Sequence, residues 1–485
     1  MTTSNLAEVA ELTASEAAEH IRDGSLTAED YASALLVNCR VNAGLNAFTY
    51  LDEERVLDAA RRADSMRAGG EPLPMLAGMP IAVKDNIDTP GFPTSAGTLA
   101  LKGNQPGASA PVVAALLRHG AYVFAKTNMH ELAGGGTSSN PSFGAVGNPY
   151  DPTRVAGGSS GGTAAAIAGR MVPLGLGTDT AGSVRIPSAF CGTTALRPTS
   201  VGGIRYSLDG VVPLAFDLDT IGPMARSVAD LGLMHAAISG VARPPAVKLA
   251  GVRIGIPQQH YWEGLDSEVE RVCKSALAQL EAAGATVVSV DVSSYLSLAD
   301  QTFWTLIGAG MRDDLAVYFQ RHAINLDAKA VIDAIASQDT HRMFHMAQEA
   351  PPTAELVAMA RGATRARIAG SYRDIFRAHG LTTIAFPTEP LTAPRINADG
   401  DRFEEEIEVG GKKVSKLDIL IHNTRFTCAL GVPGLSLPAG LSSSGLPVGL
   451  EFDGLAGDDS RLLGLGLAVE AELGRLPPPP RVVAG

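Results

Sequence analysis

The stretch APVVAALLRHGAYVFAKTN, Ala110–Asn128, spaces its apolar residues first as a helix and then, after Gly120, as a short continuous strand. Just upstream lies a second short apolar run, MPIAVKD (Met79–Asp85), so the three pieces read as strand, helix, strand. That alternation is the pattern of an α/β sheet. A second unit follows at VRIGIPQ (Val252–Gln258), the helix DSEVERVCKSALAQLEAAG (Asp266–Gly284) and ATVVSVDV (Ala285–Val292), which extends the sheet over residues 250–293. The tail returns to strands at TTIAFPTEP (Thr382–Pro390), GVPGLSLPAG (Gly431–Gly440) and LPVGLEFDG (Leu446–Gly454), then a helix at Asp459–Gly474.

Around this core the reading is helical. Thr13 with Glu16, and Thr27 with Asp30, are side-chain caps that start two helices; Gly24 stops the first, and a third helix runs to Gly69-Gly70. Residues 1–70 therefore form a helical lead-in to a core at 71–240, and residues 295–380 are helices placed to cover a cleft. The run Pro477–Pro480 is expected to be extended and exposed. No repeat or low-complexity linker interrupts residues 1–485, so the expectation is one large α/β domain, a mixed central sheet with helices on both faces.

Composition narrows the function. Hydrophobic residues make up 45% of the 485, with 53 Gly and 30 Pro, which suits a loop-rich globular enzyme. The formal charge of −12 repels phosphate backbones and anionic membranes, so nucleic acid and membrane are not expected partners. Cys39, Cys191, Cys273 and Cys428 form no CxxC pair, and the N-terminus has neither the basic nor the apolar region of an export signal. With no run of 18 uncharged apolar residues, the expectation is a soluble protein of the reducing cytoplasm.

The chemistry is concentrated in VAGGSSGGTAAAIAGRMVPLGLGTDTAGSVRIPSAFCG, Val155–Gly192. Gly157–Gly161 fits the G-x-S-x-G elbow with Ser159 as nucleophile, but the preceding NPYDPTRVA reads as a loop where an elbow needs a strand. A phosphate cradle would need a lysine that is not there. The glycines more readily open the helix that TAAAIAG begins. In GTDTAGSVRIP, read as a short loop, the backbone N–H groups of Thr180, Ala181, Gly182 and Ser183 can converge on one point, a nest suited to an oxyanion. A serine still needs a base. Lys84 ends an apolar strand, where burial would lower its pKa toward neutrality; a lone strand-end lysine more commonly snorkels to solvent or pairs with a neighbour such as Asp85.

Taken in order, GMPIAVKDNID (Gly78–Asp88), KTNMHELA (Lys126–Ala133), NPYDPTRVAGGSSGGTAAAIA (Asn148–Ala168) and GLGTDTAGSVRIPSAFCG (Gly175–Gly192) resemble the amidase signature family. The resemblance implies Ser183 as nucleophile, Ser159 as a bridging serine preceded by a cis peptide from Gly158, and Lys84 as terminal base. It also implies an oxyanion hole over Thr180–Ser183, supporting roles for Ser160, Asp179 and Arg185, an acyl-enzyme pathway, and no metal or other cofactor. This chain has Ala181 where the family usually has glycine, which implies an ordinary φ at that position and leaves Gly182 the firmer donor. Within the family, Lys126–Arg154 and Asn423–Gly440 look most like the indoleacetamide hydrolase and mandelamide hydrolase branch, implying a small aryl-acetamide as substrate. An aryl acylamidase or esterase of broad specificity, and the glutaminase-type subunit of an amidotransferase, are the alternatives; RPTSVGGIRYSLDG (Arg197–Gly210) departs from the latter. Family members are often dimers, so a homodimer is compatible with the resemblance. His341 and His345 have zinc-compatible spacing without a third ligand, His130-Glu131 lacks the second histidine of HExxH, and Cys191 reads as a buried apolar residue.

Overall fold

In chain order the strands are β1 (Phe48–Leu51), β2 (Pro80–Lys84), β3 (Tyr122–Thr127), β4 (Gly147–Asn148), β5 (Asp151–Val155), β6 (Leu174–Asp179), β7 (Thr194–Arg197) and β8 (Thr220–Ala225). They continue as β9 (Arg253–Pro257), β10 (Thr286–Val290), β11 (Thr383–Pro387), β12 (Glu406–Val409), β13 (Lys412–Ser415), β14 (Gly434–Leu441) and β15 (Pro447–Asp453). This computed structural model describes residues 3–70, 72–202, 205–397 and 399–480. Eleven strands join in one sheet, ordered β1-β3-β2-β6-β8-β7-β14-β15-β11-β9-β10. Pairing is parallel from β3 through β2 to β6 and from β11 through β9 to β10, and antiparallel elsewhere.

The sheet is mixed and covered on both faces. Every residue of β2, β6 and β8 is buried, which is why these strands read as continuous apolar or small-residue runs without alternation. Two apolar cores lie on either side, and β11 divides them: Ala385 joins the core with Ile81, Ile167 and Leu463, while its neighbours Ile384 and Phe386 join that with Phe303, Ile368 and Phe426. The period of two along a strand accounts for that split. The second core lies under the cover, built on the helix Ser293–Arg321 with Gln338–Glu349 and Arg365–His379.

The lead-in forms as its caps dictate. Thr13 and Glu16 exchange the two hydrogen bonds of a capping box, Thr27 accepts from the Asp30 N–H, and Gly24 closes the first of these helices at φ 83°. It is not wholly helical, because β1 lies inside it and pairs antiparallel with β3 as the sheet edge. Two further expectations are corrected. NPYDPTRVA is a small hairpin of β4 and β5, and GTDTAGSVRIP is a loop only over residues 180–184, since its first three residues finish β6 and its last three begin the helix Arg185–Cys191. The strands also bridge the boundaries at 70 and 240: β1 pairs with β3, and β14 pairs with β7. These are positions along one sheet.

Candidate active site

Two parallel strands carry the site at their C-terminal ends. β2 ends on Lys84 and β6 on Asp179, with Val83 opposite Leu176, so Lys84 and Thr178 become neighbours although 94 residues separate them. The C-terminal ends of parallel strands, where loops diverge, are where α/β sheets commonly open a crevice. Over them lies the helix Gly161–Ala168. It approaches β6 closely because that strand has no side chain at Gly177, where a Cβ would come within 2.7 Å of Ser160 Oγ.

That approach delivers Ser159 to Lys84. The peptide Gly158–Ser159 is cis, and Lys84 Nζ is 2.7 Å from Ser159 Oγ and 2.8 Å from Thr178 Oγ1. The Thr178 hydroxyl also accepts from Asn86 Nδ2 at 3.1 Å. Lys84 is wholly buried and has no carboxylate in salt-bridge contact among the described residues, unlike the neighbouring Lys126, which pairs with Asp85. Burial drives the Lys84 pKa down to about 7, with the charges of Asp219 and Asp179 partly offsetting it. Near neutral pH its amine is therefore available to accept a proton.

Ser183 lies in the turn between β6 and the helix Arg185–Cys191. Its carbonyl accepts the Ser160 N–H at 3.2 Å, joining the two serine loops, and the Ser160 hydroxyl donates to the Thr178 carbonyl at 3.2 Å. Asp179 organises the turn from inside. It accepts from the Gly182 N–H at 3.0 Å and the Val184 N–H at 3.3 Å, and it pairs with Arg185 and Arg197 at 3.0 and 2.8 Å. Burial opposes its charge, but the two guanidinium groups overcome that and hold its carboxyl well below the usual carboxylate range. Arg185 in turn bonds Glu451 and the Thr424 carbonyl.

These bonds distinguish the four N–H groups expected to form an oxyanion site. The Gly182 N–H already serves Asp179, whereas the N–H groups of Thr180, Ala181 and Ser183 are not engaged by a protein acceptor among the described residues. Gly182 is needed for its backbone instead. It has φ 127°, and a Cβ there would come within 2.3 Å of Thr424 Oγ1, while Ala181 has no positive φ.

Ser183 is 6% exposed and opens into a cavity of about 580 Å³. Ala181, Ile186 and the backbone of Gly134–Gly136 line it beside Ser183, and the cover supplies Ile307, Met311 and Met343. Sequence reasoning placed Lys84, Ser159, Ser160, Asp179 and Arg185 among the site residues, and the fold brings them together around the turn that holds Ser183. It did not single out Thr178, Asn86, Arg197, Asp219 or Thr424. Thr178 and Asn86 stand within the quoted motifs, but the contacts of Thr178 with Lys84 and with Asn86 depend on the β2–β6 register. Asp219 accepts from the Thr180 hydroxyl at 2.5 Å and from the Leu214 and Ala215 N–H groups, and burial pushes its pKa up to about 7.

The zinc spacing of His341 and His345 brings the two rings against each other at a tilt of 37°, with centroids 4.2 Å apart. His130 instead meets Asp339 and Asp401, a buried trio whose donor atoms are mutually within 4.8 Å. Lys416 bonds Asp401 at 2.6 Å and the Thr137 hydroxyl bonds both Asp401 and His130, so these donors already form a closed hydrogen-bond network. Cys191, like the other three cysteines, is buried and unpaired.

Comparison with known proteins places the chain. The sequence model of the family described as Amidase matches residues 33–463. The mandelamide hydrolase of Pseudomonas putida is 36% identical, over 97% of this chain and 93% of that protein. The indoleacetamide hydrolase of Agrobacterium vitis is 34% identical, over 93% of this chain and 95% of that protein. Among solved structures, native peptide amidase from Stenotrophomonas maltophilia superposes with a TM-score of 0.83 at 27% identity, covering 98% of this chain and 99% of that one.

Proposed function

The chain belongs to the amidase signature family and is an amidohydrolase, and from that premise we propose that it cleaves a primary carboxylic amide through an acyl-enzyme on Ser183. The observation that carries this reading is the buried contact of 2.7 Å between Lys84 Nζ and Ser159 Oγ, with the lysine pKa near 7. A neutral amine there takes the Ser159 proton as Ser159 takes that of Ser183, and the Ser183 oxygen forms its bond to the amide carbon. The oxyanion rests on the N–H groups of Thr180, Ala181 and Ser183, each such donor contributing roughly 3–4 kcal/mol to the transition state. The proton returns along the same path to the leaving nitrogen as the C–N bond breaks. Water then attacks the ester, its proton passing through Ser159 to Lys84, and Ser183 recovers a proton as the acid departs.

Ser160, Asp179 and Arg185 shape the turn without touching the reacting atoms. The names of the relatives favour an aryl-acetamide type of acyl group. Four free, buried cysteines suit a reducing cytoplasm, and no helix among the described residues is long and apolar enough to cross a membrane.

The test is release of ammonia, or of aniline from the anilide, on a panel of indole-3-acetamide, mandelamide, phenylacetamide, an anilide and glutamine. Turnover of aryl-acetamides that vanishes in Ser183→Ala supports the proposal. Exclusive turnover of the anilide would move the reading to an aryl acylamidase, and turnover of glutamine alone to an amidotransferase subunit.

A further inference from the structure

The cavity above Ser183 is larger and more apolar than an aryl-acetyl group requires. At about 580 Å³ it falls inside the range of roughly 300–1,000 Å³ that encloses drug-sized ligands, whereas phenylacetamide has only about ten non-hydrogen atoms. Its lining is graded from inside to outside. Ser183, Ile307 and Met311 are buried, and the apolar wall includes Met343 and reaches Trp304 and Met346, which are 40% and 39% exposed, with Gln301 and Thr305 as polar neighbours. Charged lining residues are few, and two of them, Arg342 and Glu349, pair with each other at 3.1 Å.

Three features make this wall a binding surface. Exposed large apolar side chains mark contact sites when they are contiguous, and Trp304 and Met346 are continuous with the cavity that reaches Ser183. The methionines at 311, 343 and 346 are unbranched and adaptable, which suits an apolar ligand of variable shape. A small aryl-acetamide seated at Ser183 would leave the outer wall wetted, so its apolar surface would contribute nothing to binding.

We infer that the acyl group of the substrate extends well beyond a single aryl ring, its carbonyl at Ser183 and an elongated apolar body lying along the wall from Ile307 and Met311 to Trp304 and Met346. This rests on the proposed hydrolysis at Ser183. The bulk belongs to the acyl side because a primary amide releases only ammonia, so one continuous space serves the whole molecule. The substrate class is therefore a long arylalkyl or aliphatic primary carboxamide.

The experiment is kcat/KM for a series of primary amides from phenylacetamide through 4-phenylbutyramide and 8-phenyloctanamide to dodecanamide, below their solubility limits. The expected result is a rise of at least about tenfold from the shortest to the best longer member, since each buried methylene strengthens transition-state binding. Met346→Lys and Trp304→Ala should each lower the long-to-short ratio by about fivefold or more. A flat or falling series with Ser183-dependent turnover of phenylacetamide overturns this inference and leaves the hydrolase proposal standing. A series with no turnover by the folded protein overturns both. Faster turnover of amides carrying the same bulk on nitrogen would overturn the assignment to the acyl side.

Discussion

Lys84 Nζ lies 2.7 Å from Ser159 Oγ, and neither side chain reaches solvent. A lysine in that position is useful as a base only when neutral. Its pKa of about 7 makes kcat/KM fall on the acid side as the ammonium forms, and level off above neutrality. A pH–rate profile should show this limb near pH 7. Lys84→Met should lower kcat by about 10²–10⁴-fold with little change in secondary structure by circular dichroism. Full activity in that variant would remove the proposed base.

The position of that limb can be shifted. Asp219, its own pKa raised to about 7 by burial, titrates in the same range, and once ionised it favours the Lys84 ammonium and raises the lysine pKa against the effect of burial. Asp219→Asn keeps an acceptor for Thr180 but removes the charge, so the acid limb should move to lower pH. An unchanged or upward-shifted limb would contradict the electrostatic account.

In the nucleophile turn, adjacent residues should respond oppositely. Gly182→Ala must place a side chain at φ 127° and within 2.3 Å of Thr424 Oγ1. The conformation alone costs about 1–3 kcal/mol, so lower stability and a large loss of kcat are expected. Ala181→Gly meets no such obstacle, and thermal melts with steady-state kinetics on both variants should separate them.

Much of this turn was legible because its motif is contiguous: the serines, Asp179 and Arg185 lie within 27 residues of one another in the sequence. The helix starts at Thr13 and Thr27 were legible for the same local reason. β1, by contrast, is four residues on a sheet edge inside a helical segment, and its identity comes from pairing with β3. The β12–β13 hairpin carried a Gly410-Gly411 turn signal that the reading passed over. The roles of Thr178 and Asp219 depend on strand register and on a loop folding back, neither of which is local. The cavity lining was least legible, since the helix Ser293–Arg321 has apolar residues around much of its circumference and one face cannot be told from another in sequence.

Arg185 shows a different kind of dependence. It is fully buried and bonds Asp179, Glu451 and the Thr424 carbonyl. Arg185→Met would leave two carboxylates without their main cation, and breaking a buried pair this way typically costs about 3–5 kcal/mol. Urea unfolding should show that loss, and a cost under about 1 kcal/mol would mean the network is not stabilising in this form.

The cover is tied to the core by His130, whose Nε2 lies 3.3 Å from Asp339 at the start of the helix Gln338–Glu349. Burial works against the imidazolium, but Asp339, with Asp401 and Glu131 nearby, holds its pKa above the ordinary 6.5; Lys416 faces the same cluster through Asp401. A folded pKa above the unfolded one means that this charge pair contributes fully below about pH 6.5 and fades as pH rises through the raised folded value. The base at Lys84 follows the opposite trend, becoming competent as pH rises. His130→Gln should therefore lower Tm most at pH 6 and progressively less toward pH 9, while the acid limb of its kcat/KM profile stays near pH 7. A Tm difference that is constant with pH would make His130 a packing residue, with no charge link between core and cover.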